Sequence, residues 1–109
     1  MRIALLHLDP ARCDEIAASL TEHGHTVTPL SEAQTLAEPP DVFVVCPEAS
    51  PQLALDLAAK IGADARLGAV SILFAGGTQA ALTEAQRRFP RASFTRLDAL
   101  ATALASMEN

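Results

Sequence analysis

The sequence has no tryptophan and no tyrosine, and four phenylalanines are its only aromatic residues. Its core must therefore be mostly aliphatic. Cysteine is scarce as well: Cys13 and Cys46 are the only two, both on segments expected to be buried, and no CxxC spacing occurs. A reducing, cytoplasmic setting fits that usage best. Long hydrophobic runs are missing. None approaches the ~20 residues that a membrane span requires. The N-terminus does not read as a signal peptide, because Arg2 is followed by a short apolar run broken by His7 and Asp9. Basic charge is in short supply, with Lys+Arg 8 against Asp+Glu 13 and a formal net charge of -5. That balance argues against nucleic-acid binding by this domain alone, since neutralising phosphates takes clustered Lys and Arg. It leaves open DNA binding by a fused partner domain. The one basic cluster is Arg87, Arg88 and Arg91, with Arg96 shortly after. It reads either as a solvated helix end or as a contact for an acidic partner.

What is present is apolar and regular. Half of the 109 residues are hydrophobic, enough for a layered core without disulfides or metal, and residues 1–109 are expected to form a single domain. Abundant alanine favours closely packed helices. Five apolar runs alternate with five helical patterns. Ile3-Ala4-Leu5-Leu6, continuing through His7-Leu8, is apolar without alternation, as in a strand covered on both faces. Asp9-Pro10 opens a helix as N-cap and first helical residue. Cys13, Ile16, Ala17 and Leu20 form its buried stripe, and Gly24 ends it. Thr26–Leu30 is a short second strand that Pro29 assigns to a sheet edge. Ser31 and Gln34 make a capping-box pattern for a short helix stopped by Pro39-Pro40. Asp41–Cys46 is a third strand, apolar throughout from Val42.

Ser50-Pro51 repeats the cap-then-proline signal. Leu53, Ala54, Leu57, Ala58 and Ile61 are the expected inner face of the helix that follows, with Gly62 closing it. Val70–Ala75 is a fourth strand. After Gly76-Gly77, Thr78 or Thr83 caps a helix with Ala81, Leu82, Ala85 and Phe89 inward and Pro90 as its stop. Ala92–Arg96 is a short, more polar fifth strand. Asp98 caps a last helix with Leu100, Ala101, Leu104 and Met107 inward. Alternating strands and helices imply parallel strands joined by right-handed crossovers. Apolar strands one, three and four between polar strands two and five suit an α/β, flavodoxin-like sheet of order 2-1-3-4-5 flanked by five helices. The functional crevice of that order lies at the C-terminal ends of strands one and three. His7, Leu8 and Asp9 stand there, opposite Cys46, Pro47 and Glu48.

These segments resemble the receiver domain of response regulators in two-component signalling. The apolar strand followed by Asp9-Pro10 is similar to the receiver's first strand, acids, proline and helix. His23-Gly24-His25-Thr26-Val27 resembles the exit of its first helix. Pro40-Asp41-Val42-Phe43-Val44-Val45 resembles the stretch that leads to the phosphoacceptor aspartate. Val70 to Gly76 resembles the fourth strand with its terminal Thr or Ser, and Phe94-Thr95-Arg96 the fifth strand with its lysine. The resemblance implies that His7 and Leu8 stand where two acids help hold magnesium, with Asp9 as the next acid. It puts Cys46 at the phosphoacceptor position, Ala75 at the phosphoryl-binding hydroxyl and Arg96 at the lysine. The family proline sits one place earlier than Pro51. Magnesium needs hard carboxylate oxygens, and phosphotransfer depends on positioning and electrostatics around that metal. Losing acceptor, ligand and hydroxyl together implies a pseudo-receiver with no catalytic residues, no metal and no cofactor.

With catalysis absent, function falls to surfaces. The resemblance implies pairing through the face of helix four, strand five and helix five, here Arg87, Arg88, Arg91 and Arg96 with Leu100 and Leu104. A phosphorylation-independent regulatory module in signalling or transcription follows, acting on a protein partner, a fused effector domain or a second copy as homodimer. The alternative is a flavodoxin-like ligand-binding or thiol-redox or metal-sensing module. It would use the Cys46 and His7 crevice, with Asp9 or Glu48 as third ligand; the plainer reading makes Cys46 a small hydrophobe and His7 a hydrogen-bonded filler. Gly76-Gly77-Thr78 lacks the spacing and lysine of a phosphate loop and reads as a tight turn. His23 and His25 are expected to be exposed at the opposite end of the sheet.

Overall fold

A computed structural model describes residues 2–7, 9–30, 40–47, 51–63, 70–90 and 92–108. Strands β1 (Arg2–His7), β2 (Thr26–Leu30), β3 (Val42–Cys46), β4 (Ser71–Ala75) and β5 (Ser93–Thr95) form one sheet of order β2-β1-β3-β4-β5. All four pairings are parallel. Four α-helices are described: α1 (Pro10–Glu22), α2 (Pro51–Ala63), α3 (Gln79–Arg88) and α4 (Leu100–Glu108). The helix expected between Ser31 and Pro39 lies outside the described residues. None of the described helices is long and apolar enough to cross a membrane.

The strands are apolar on both faces because helices cover both. Ala4, Leu6, Phe43, Val45 and Phe74 pack with Ala54, Leu55, Leu57 and Ala58 of α2 and Ala85 of α3. Ile3, Leu5, Val42, Val44, Cys46, Leu73 and Ala75 pack with Cys13 and Leu20 of α1 and with Leu100 and Leu104 of α4. The period-two alternation of each strand thus deals its side chains to two separate cores. The edges follow from the same rule. β2 carries Pro29, and β5 is only 3 residues long.

Capping follows the residues closely. Asp9 caps α1, its carboxylate accepting from the Ala11 N–H at 3.1 Å. Thr78, not Thr83, caps α3 by accepting from the Ala81 N–H at 3.2 Å. At the end of α1 the Gly24 N–H donates to the Thr21 carbonyl and the His25 N–H to the Leu20 carbonyl, with Gly24 at φ +90°. This paired closure is the Schellman form, which needs a residue tolerant of positive φ.

Four sequence expectations need correction. His25 is buried, at 7% exposure, because the Gly24 turn folds it back over the Leu20 turn; His23 is exposed as expected. Gly62 does not close its helix, which runs on to Ala63. Leu53 is 47% exposed, and Leu55 takes the inward place assigned to it. Asp98 sits inside a 3-10 turn, Leu97–Ala99, that leads into α4.

Phe74 is fully buried at the centre of one core, its ring 5.3 Å from that of Phe89 and 5.4 Å from that of Phe94. Truncation leaves a cavity that two aromatic neighbours cannot fill. Phe74→Ala is therefore expected to destabilise the domain by about 3–5 kcal/mol in urea denaturation. A loss below about 1 kcal/mol would contradict this packing.

Candidate functional site

The candidate site is the C-terminal end of the three central strands. His7 ends β1 and Cys46 ends β3, and the two are direct register partners, as the sequence predicts. Ala75 ends β4 immediately after Phe74, the partner of Val45. Cys46 and Ala75 each have 0% exposure and belong to the core beneath α1 and α4. By strand alternation His7 shares that face with Ile3 and Leu5. It is 3% exposed.

His7 has a defined orientation. The Asp9 N–H donates to its Nδ1 at 3.0 Å, so a neutral ring carries its proton on Nε2. Asp9 is committed elsewhere: its carboxylate caps α1, and its carbonyl accepts from the Cys13 N–H at 2.9 Å. This explains why Asp-Pro, rather than a row of acids, follows β1. The acid closes the helix instead of facing the crevice. Leu8, Glu48 and Arg91 lie outside the described residues.

The donor set does not suit magnesium. The first two positions after the apolar run are an imidazole and Leu8, which has no side-chain oxygen. Among the described residues no three His, Cys, Asp or Glu side chains are grouped to hold a metal ion. Arg96 stands just past β5 with its side chain 83% exposed, paired at 2.7 Å with Asp98. The three strand ends thus carry imidazole, thiol and methyl, and the Arg96 side chain points to solvent.

Two features of this end escaped the sequence reading. Pro47 is fully buried directly after Cys46. Gly76 and Gly77 both adopt positive φ, +78° and +96°, and the Gly76 N–H donates to the Thr95 carbonyl at 3.0 Å. The Gly-Gly pair does signal a turn, but only the fold shows that Gly77 closes against Pro47.

The expected interaction residues are placed in two ways. Arg87 is exposed on α3 and hydrogen-bonded to Glu84 one turn earlier, which holds the Glu84 carboxyl below its ordinary range. Arg88 turns to α2, 3.3 Å from Asp56, and lies over the Phe89 ring. Leu100 and Leu104, expected to supply apolar contact area, are buried at 3% and 0% in the chain's own core. Their spacing is that of the inner stripe, and Thr102, Ala105 and Ser106 of α4 are exposed.

No protein-family model and no curated protein matches the sequence. Solved structures do. The chain superposes on the Vibrio cholerae chemotaxis protein CheY4 with a TM-score of 0.73 at 11% identity, covering 96% of each chain. The chain has the receiver fold. A sensor protein from Polaromonas matches with a TM-score of 0.69 at 18% identity, over 86% of this chain and 79% of that one. A response regulator from Burkholderia multivorans matches at 0.63 and 17%, over 99% and 94%. At such identities the likeness is one of fold, and the chemistry must be argued from the residues this receiver fold carries.

Burial shields both thiols from solvent. It pushes the Cys13 thiol up, and neighbouring Asp14 adds to this; Cys46 is fully enclosed. A disulfide reagent at neutral pH is expected to label neither cysteine of the native protein and both in denaturant. Rapid native labelling at Cys46 would show the crevice to be open.

Proposed function

We propose that the domain is a pseudo-receiver: a non-catalytic, phosphorylation-independent interaction module in signalling or transcription, and a degenerate member of the response-regulator receiver family. The observation that carries this is Cys46. It ends β3 at the crevice, fully buried, between His7 in register and Ala75 at the end of β4. A receiver needs a carboxylate there to take the phosphoryl group, a metal to neutralise it, and a hydroxyl beside it. A buried thiol, an imidazole bonded to the Asp9 amide and a methyl group meet none of these needs. The test is exposure to Mg²⁺ with acetyl phosphate or beryllofluoride, followed by amide chemical shifts. No saturable change near residue 46 is expected, and one centred there would defeat the proposal.

Restoring the acceptor alone should not restore the reaction. Cys46→Asp puts a carboxylate into a fully buried apolar cluster. We expect it to cost about 1–3 kcal/mol in denaturation and to remain unphosphorylated by acetyl phosphate in intact-mass measurement. Stoichiometric phosphorylation of this single variant would mean that the pocket still supports the chemistry.

The partner is a protein: an effector domain, a separate regulator or a second copy of the chain. The face formed by α3, β5 and α4 suits this. Arg87 pairs with Glu84 on α3 and Arg96 with Asp98 just after β5, so exposed groups of both signs stand on these elements, a pattern that can meet itself across a two-fold axis. The uncharged residues Thr102, Ala105 and Ser106 are exposed on α4. Sedimentation equilibrium of the wild type and an Arg87→Glu, Arg96→Glu variant is the check. Dimerisation that the variant loses is expected, and a wild type that stays monomeric to millimolar concentration removes the homodimer. The thiol or metal-sensing alternative draws on the His7–Cys46 pairing, but no third donor joins them among the described residues.

A further inference from the structure

We propose that His7 makes the crevice a proton-binding site whose charging releases the start of α1. His7 ends β1 and is 3% exposed, and its Nδ1 accepts the Asp9 N–H at 3.0 Å. A ring nitrogen accepts only while its lone pair is free, so this bond requires the neutral imidazole. A proton taken from water at that lone pair turns Nδ1 into a donor. Two N–H groups then face each other, and the bond to Asp9 is lost. Histidine is the side chain whose charge changes in the physiological range, so this end of β1 carries a group that an acid or an apolar residue would not replace.

The loss reaches α1 because Asp9 also holds the first turn of that helix. Its carboxylate accepts from the Ala11 N–H at 3.1 Å, and its carbonyl from the Cys13 N–H at 2.9 Å. Moving the Asp9 amide disturbs both bonds, and an imidazolium competes with Ala11 for the carboxylate. Among the described residues, the other titratable or charged groups on the elements around His7 are few. β3 ends in the buried thiol of Cys46. The first half of α1 carries buried Cys13, exposed Asp14, and Arg12 paired with Glu15 at 2.9 Å. β2 ends in Leu30 and β4 in Ala75, and α4 gives Leu100 and Leu104 to the cluster on this face. Ahead of α4, Arg96 and Asp98 pair with each other in solvent. The closed form holds the neutral ring and the released form the charged one. The released population therefore grows by up to about tenfold per pH unit as the ring takes its proton. This site goes beyond the interaction role proposed above and does not depend on it: a crevice inert toward phosphoryl transfer still takes a proton.

The test is an NMR titration of the full chain from about pH 8 to about pH 5, the range in which histidine changes charge. Imidazole nitrogen spectra are expected to show His7 Nδ1 passing from acceptor to protonated form. The Asp9, Ala11 and Cys13 amides are expected to shift with the same midpoint. His7→Asn offers an acceptor oxygen in place of Nδ1 but cannot take the proton, and its three amides are expected to stay still. His23 and His25 lie at the other end of the 13-residue α1, and His23→Gln is expected to leave the response intact. A His7 ring that stays neutral throughout would overturn the proposal. So would amides that stay still while His7 becomes charged, or that shift with the same midpoint in His7→Asn. If His7→Asn does not fold, agreement or disagreement of the His7 and amide midpoints in the wild type and in His23→Gln decides.

Discussion

The pairing of β1 with β3, in register from Ile3 with Val42 to His7 with Cys46, is the constraint on which the rest depends. These strands are neighbours in space but not in sequence, and β2 is left on the far side of β1. The strand order therefore reverses its direction of growth between β1 and β3, and the connections that leave the two strands diverge to opposite faces of the sheet. In sheets of this order the switch point lies where they part, and here the residues at it are buried. The same pairing brings the last residue of each strand together, so the character of the crevice is set by His7 and Cys46 before any loop is considered.

That character is the opposite of what phosphoryl transfer uses. Catalysis of this kind comes from charges fixed in advance around the transferred group. Here the crevice floor continues the hydrophobic core: Cys46 and Ala75 are members of the same buried cluster as Val44, Leu73 and Leu104. Among the described residues, Asp9 holds the start of α1, and Arg96 is exposed and paired with Asp98. Filling the site with small apolar groups gains burial and avoids a concentration of like charge that would need a metal to offset it. The surfaces are then left as the place where specificity can reside.

Much of the fold was legible because its signals are local and redundant. Uninterrupted apolar runs marked β1, β3 and β4 as central, and Pro29 marked an edge. Asp9-Pro10 and Thr78 marked helix starts. Less legible was anything that depends on which side of a helix meets the sheet. Leu53 and Leu55 both fit an apolar helix, and only the packed structure decides between them. Leu100 and Leu104 have the spacing of an inner stripe, but their place beside an arginine-rich segment suggested a surface role. His25 shows a further limit. A histidine after a helix-ending glycine reads as solvent-exposed, although the local Schellman closure at Gly24 turns it back over Leu20. Among the site residues, the His7–Cys46 adjacency follows from strand order alone, whereas the contact of Pro47 with Gly77 joins segments 30 residues apart and leaves no local signal.

Imidazole, thiol and methyl offer no hard oxygen to a divalent cation, and magnesium is the first requirement of receiver chemistry. Titration of the native domain with Mg²⁺, followed through the amide resonances of Asp9, Cys46 and Gly76, therefore tests the proposal of an inert pocket most directly. Small, linear, non-saturating shifts of the size seen for any acidic surface are predicted. Saturable shifts at those three amides in the low millimolar range, abolished by chelation, would contradict it.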